Sequence, residues 1–100
     1  MLTPDTIFTA IESVFPVTRA DIIGLRRRRN EADARKVACY IIYTYMRYSN
    51  AQIAALLGNR SSGSVKDCRD GYLNMHKTDK QFRAMADQVI AILGLNVMAA

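Results

Sequence analysis

The sequence predicts an all-α fold of about six helices. Three observations carry this. Apolar residues recur three and four apart through most of the chain, the spacing of helices with one buried face. Ser or Thr stands at the head of five of the six periodic stretches, where a helix leaves backbone N–H groups without partners. Only two prolines and five glycines interrupt 100 residues, and both prolines fall at helix edges.

The elements follow in order. Thr3 is an N-cap and Pro4 suits the first helical position. Ile7, Phe8, Ile11, Val14 and Phe15 then recur at helical spacing, and Pro16 stops the helix. Thr18 caps a short second helix, RADIIGL, with Gly24 near its end. Arg26 to Arg29 follow as a loop. The longest helix is expected from about Glu31 to Tyr48, with Glu31 and Asp33 in the first turn, where the positive dipole end favours carboxylates. Val37, Tyr40, Ile41, Thr44, Tyr45 and Tyr48 form one stripe, which Ala38 and Ile42 widen. A face this wide belongs to a central helix with several neighbours. Ser49 and Gln52 form a capping box for a short fourth helix that buries Ile53, Leu56 and Leu57, and Gly58 stops it. Ser61 or Ser62 caps a fifth, with Val65, Cys68 and Tyr72 on one face. Thr78 is expected to cap the last, which carries Phe82, Met85, Ala86, Val89, Ile92 and Leu93 and ends at Gly94. The tail LNVMAA is expected to fray.

One domain is expected over residues 1–100, with its core at about 5–93. Half the residues are hydrophobic and 23% are charged, a globular composition. The net charge is +5, and the excess is uneven. Residues 26–36 hold Arg26, Arg27, Arg28, Arg29, Arg35 and Lys36 against Glu31 and Asp33. Four adjacent like charges repel, and a turn needs no such concentration. The clustering points to a polyanionic partner. A lipid surface fits poorly, because no apolar stripe is free of core duties. No apolar run is long enough to span a membrane, and the N-terminus lacks a signal-peptide pattern.

Cys39 and Cys68 are too few and too distant in sequence for a zinc site. Both read as small buried hydrophobes with free thiols, which suits a reducing cytoplasm. His76 is the single histidine, and near a helix end it reads as exposed or dipole-stabilising. Tyr40, Tyr45 and Tyr48 read as core or rim packing, whereas Tyr43 points away from the stripe. No carboxylate pair, Ser/His/Asp set or Cys/His set stands at useful spacing. Catalysis, a cofactor and a metal are therefore not expected.

From Ser49 to His76 the chain reads as a short helix, a tight glycine-containing turn and a longer helix, the shape of a helix-turn-helix. The first residues of the second helix are those that meet base edges in such a motif. Here they are Ser61, Ser62, Gly63 and Ser64, preceded by Arg60 and followed by Lys66. Serines are small donors and acceptors suited to phosphate or base contact. Gly63 costs about 1 kcal/mol of helix propensity against alanine. It either allows close approach to the backbone or marks a loose helix start.

The stretch ARKVACYIIYTYMRYSNAQIAALLGNRSSGSV, behind its basic loop, resembles the C-terminal DNA-binding domain of the bacterial replication initiator DnaA, in the Trp-repressor-like helix-turn-helix group. Ala34-Arg35-Lys36-Val37-Ala38 stands for the family's Ala/Pro-Arg-Gln start of an apolar helix. Ser49-Asn50-Ala51-Gln52-Ile53-Ala54 stands for its Ser-x-x-Glu-Ile-Gly-like helix. Asn59-Arg60-Ser61-Ser62-Gly63-Ser64-Val65 stands for Gly-Arg-Asp-His-(Thr/Ser)-Thr-Val. The resemblance implies a double-stranded DNA partner, a basic-loop arginine in the minor groove and the start of the recognition helix in the major groove. Arg27 aligns best with the minor-groove arginine, with Arg26 or Arg28 as alternatives. Arg35 matches the arginine beside the phosphate backbone, Arg60 the arginine at the turn, and Ser64 the final threonine.

The departures matter. Ser61, Ser62 and Gly63 replace the Asp, His and Thr/Ser that read bases, so the family's preferred DNA box does not transfer. No Gly-x-x-x-x-Gly-Lys-Ser/Thr loop is present, so ATP-driven origin melting is not expected of this sequence. Two function classes stay open. One is a double-stranded DNA-binding protein of the cytoplasm and nucleoid, acting in replication or transcription control. The other is an interaction module that keeps the fold and binds a protein of that machinery. The sequence leaves the oligomeric state open.

Overall fold

The computed structural model describes residues 1–26 and 28–95. Arg27 and the tail beyond Leu95, for which fraying was expected, lie outside the described residues. Six helices and no strand occur among the described residues: α1 (Pro4–Val14), α2 (Arg19–Ile23), α3 (Arg29–Met46), α4 (Asn50–Leu56), α5 (Ser62–Thr78) and α6 (Lys80–Ile92).

Local side chains set most of the helix starts. Thr3, Thr18 and Ser49 each accept from the backbone N–H three residues on, and Thr6, Asp21 and Gln52 return the bond to the cap's own N–H. Both ends of α3 differ from the expected ones. α3 begins at Arg29, the last residue of the arginine run and two residues before the expected start. Arg29 is held there by Asp33 at 3.6 Å and by Asp79 at 2.8 Å, which offsets the charge that would oppose a helix start. α3 then ends at Met46 rather than Tyr48, because Arg47 turns into the left-handed region at φ 59°. The cap of α6 is Asp79, not Thr78: its carboxylate accepts from the Phe82 N–H at 3.0 Å. Thr78 instead closes α5, its hydroxyl donating to the Asn74 carbonyl at 2.9 Å.

α3 is the central helix and packs against all five others. Its Val37, Ile41 and Ile42 are fully buried among Ile7, Phe8 and Ile11 of α1, Ile22 of α2, Ile53 of α4, Val65 of α5 and Val89 and Ile90 of α6. The α3–α5 contact is lined with aromatic rings. Tyr40 stacks on Tyr72 at 3.8 Å between centroids, and Tyr72 meets Phe82 edge-on at 5.5 Å. Burial pushes the Tyr72 hydroxyl above its ordinary range. His76 lies in the last turn of α5 and is not fully exposed; its Nε2 is 2.8 Å from Asp87 Oδ1 on α6. Tyr43 is exposed as expected, with the Arg69 guanidinium 3.6 Å over its ring.

Asp79 joins a helix cap to an ion pair. The Phe82 backbone hydrogen bond, helped by Arg29, holds its carboxyl below the ordinary 3.8. A depressed pKa stabilises the fold in full above the unfolded value and loses that contribution as pH falls through the folded value. The Asp79→Ala variant should therefore melt below the wild type at neutral pH. The gap in Tm should narrow as pH falls below about 4, as followed by circular dichroism melts.

Candidate nucleic-acid interface

α4, the turn and α5 form the helix-turn-helix. α4 ends at Leu56, and Gly58 (φ +83°) and Asn59 (φ +59°) reverse the chain in two successive left-handed residues. The Arg60 N–H then returns to the Ala54 carbonyl at 3.0 Å. Glycine is required at position 58 twice over. Its φ disfavours a side chain, and a Cβ there would lie 2.5 Å from the Ile23 carbonyl oxygen.

Ser61 is the N-cap of α5. Its Oγ accepts from the Ser64 N–H and donates to the Ser64 Oγ, both at 3.1 Å. Ser61, Ser62, Gly63 and Ser64 are all exposed. The environment of Gly63 resolves one alternative about it. A Cβ there would meet nothing nearer than the Ser61 Oγ at 4.0 Å, so the fold itself does not require glycine.

The basic side chains divide into two sets. Arg26 and Arg28 are exposed and make no ion pair among the described residues. Arg28 is the N-cap residue of α3 and makes no side-chain cap. Lys66 is exposed on α5 and pairs with Asp70 at 3.1 Å. The second set is held by partners within the protein, and all of it but Arg29, whose side chain is 71% exposed, turns inward. Arg29 pairs with Asp33 and Asp79 as described. Lys36 pairs with Asp33 at 3.5 Å, and its stem lies over Gly71 of α5. Arg35 was expected beside the phosphate backbone, yet it is 5% exposed. Its Nε donates to the Ile22 carbonyl at 2.7 Å, and an NH2 nitrogen donates to the carbonyls of Asp21 and Gly24 at 2.9 and 2.8 Å. Arg60 also turns inward and donates to the Gly24 carbonyl. Its Nε is buried without a hydrogen-bond partner among the described residues.

The exposed arginines and the start of α5 are thereby brought together. Gly24, two residues before Arg26, is bonded to Arg60, one residue before the α5 cap. The sequence reading missed this junction, and no local pattern announces it. It also missed Arg69, which stacks on Tyr43 and donates to Asn50 Oδ1 at 3.2 Å, tying α5 to the end of α3 and the start of α4.

A groove of about 320 Å³ runs between α3 and α5, lined by Ala32, Arg35, Lys36, Arg60, Ser64, Asp67 and Cys68. Cys39 is buried, as read from the sequence, whereas Cys68 is only half-buried. The hydrogen bond between the two thiols, with Lys36, Arg60 and Arg35 nearby, brings Cys68 down to about 6. The same bond, together with burial, pushes Cys39 up.

The bacterial DnaA protein helix-turn-helix family matches residues 4–69, from the first helix through the basic loop into the recognition helix. The chain belongs to this DNA-binding helix-turn-helix family. The chromosomal replication initiator protein DnaA of Thermomicrobium roseum is 30% identical over 83 residues, 83% of this chain. The chain spans 18% of that relative's length. Among the described residues no helix is long and apolar enough to cross a membrane.

Two outcomes follow from this geometry. Gly63→Ala should stabilise the free protein by up to about 1 kcal/mol, since alanine has room and higher helix propensity; urea melts would show it. Cys68 should be alkylated in the folded protein while Cys39 stays protected until unfolding. The Cys68 rate should level off at a pH below the ordinary thiol value of 9.0. Mass spectrometry of iodoacetamide adducts against pH reads both.

Proposed function

We propose that this DnaA-family domain binds double-stranded DNA in the control of replication or transcription. In this reading the start of α5 enters the major groove, and an arginine of the 26–28 run enters the adjacent minor groove. The observation that supports it best is the placement of exposed Arg26 and Arg28 beside the exposed serine start of a helix-turn-helix recognition helix. Arg27 keeps the minor-groove role that the family resemblance implies. Lys66 is assigned a phosphate contact, reached by leaving Asp70. Ser62 is assigned the base-edge contact, because Ser61 and Ser64 spend hydroxyl bonds on the cap. Arg29, Arg35 and Arg60 are assigned to the fold, since their guanidinium groups already have carboxylate or carbonyl partners. Lys36 is assigned to the α3–α5 seam.

About four phosphates would then be neutralised, and log K should fall with log salt at a slope of about −3 to −4. Replacing Arg26, Arg27 and Arg28 together with alanine should weaken binding to every duplex and flatten that slope. Ser62→Ala should instead narrow the gap between target and random DNA by about 1 kcal/mol or more. Gly63→Leu should do more, because a side chain would meet the groove wall. Selection of bound sequences from random duplex DNA, followed by titrations of these variants, tests all three. The replacement of the family's base-reading residues by Ser61, Ser62 and Gly63 favours a second reading, a module that binds a protein partner. Salt-independent affinity for duplex DNA would select it.

A further inference from the structure

We infer that Arg60 and Arg35 are positioning residues, which lock the basic loop to the start of the recognition helix so that the two contact one duplex as a single rigid reader. The inference rests on the duplex-binding reading above and goes beyond it. It concerns residues that touch no DNA.

Four consecutive carbonyls, those of Asp21 to Gly24, end α2 and lead into the arginine run. Arg35 takes those of Asp21, Ile22 and Gly24. The Ile23 carbonyl abuts Gly58 of the helix-turn-helix turn, leaving no room for a Cβ. Arg60, from the same turn, takes Gly24 a second time. The partners come from α3 and from the turn, which are 11 to 36 residues away in sequence. The far end of the run is fixed separately, by Arg29 on Asp33 and Asp79. Between these anchors Arg26 and Arg28 stay exposed.

A loop held in its working position loses less conformational freedom on binding, which favours affinity without adding a contact. It also fixes the spacing between Gly24, where the loop begins, and the α5 start. The Arg60 geometry argues against a phosphate contact. Its guanidinium points back to Gly24, and its Nε is buried. Charge-assisted hydrogen bonds to carbonyls are the stronger kind, so their loss should be felt in the loop.

The test uses the full chain with Arg60→Ala and with the charge-conserving Arg60→Lys, which has no planar fork to reach the carbonyl while filling the same space. Backbone amide exchange in the free protein is read first. Both variants should keep the wild-type helical spectrum, and exchange at Ile22 and Gly24, whose N–H groups donate to the Thr18 and Asp21 carbonyls beside the junction, should speed up by about tenfold or more while α1 and α6 are unchanged. Duplex titrations are read second. The alanine replacement of Arg26 to Arg28 should cost much less in the Arg60→Ala background than in the wild type, the non-additivity of residues acting as a unit. Suppose loop exchange is unchanged in Arg60→Ala, and binding weakens equally on all duplexes with the salt slope reduced by about one. Arg60 is then a phosphate contact and the positioning role is overturned, although duplex binding stands. Fast loop exchange in both variants, with no duplex binding by the wild type, would leave the lock in place and overturn the DNA reading instead. If Arg60→Ala does not fold, Arg60→Lys decides: wild-type loop exchange in it overturns the lock.

Discussion

The buried guanidinium of Arg35 is the interaction on which the arrangement around the arginine run depends. A charge at 5% exposure is costly unless every side of it is hydrogen-bonded. Its partners are the carbonyls of Asp21, Ile22 and Gly24, at the end of a helix of five residues. A helix so short is not stable alone, and its last carbonyls have no partners within it. Arg35 supplies them, at the end where the dipole favours a cation. One side chain of the central helix thus completes α2, sets where the chain leaves it, and aims the run that follows.

The fold sorts a large positive excess by giving some arginines partners and leaving others without. Arg29 goes to carboxylates, Arg35 and Arg60 to backbone carbonyls, and Lys36 to Asp33 above the α3–α5 seam. Asp21, although held by the Thr18 backbone, also feels Arg26 and Arg28, and all of these keep its carboxyl below the ordinary range. What faces solvent without a carboxylate partner among the described residues is narrower than the sequence implies: Arg26 and Arg28, whereas Arg29 and Lys66 are exposed but ion-paired. A count of basic residues therefore overstates the charge this surface can offer to phosphates, and the expected salt dependence is correspondingly shallower.

How much of this could be read from the sequence follows from the range of the interactions. Thr3, Thr18 and Ser49 were legible as caps, and Ser61 as one of two candidates with Ser62, because each acts on a backbone N–H three residues away. The stripe of Val37, Ile41 and Ile42 was legible because period alone defines a helix face. The start of α3 was misplaced by two residues because what stabilises Arg29 there includes Asp79, 50 residues on. The cap of α6 was misassigned between adjacent Thr78 and Asp79, where both residue types qualify and only the geometry separates them. Arg35 and Arg60 were found as motif positions and expected at the DNA, whereas both guanidinium groups turn to backbone carbonyls. An arginine facing a phosphate and one facing a carbonyl look alike in a sequence.

The start of α5 raises the last question, which is what it can read. Of its three serines, two are tied to each other in the cap, and only Ser62 makes no hydrogen bond among the described residues. One free hydroxyl distinguishes few base pairs, since serine can donate or accept with almost any of them. The small residues do allow close approach, for no side chain larger than a hydroxymethyl projects from residues 61–64. Close approach by the backbone and a fixed distance from the α5 start to the root of the arginine run at Gly24 are both sensitive to groove width and helical phase, which vary with sequence. In the duplex-binding reading, then, specificity shifts from the side chains of α5 to the rigidity of the junction at Gly24. A loosened junction would cost discrimination as well as affinity, even with every DNA-facing residue in place.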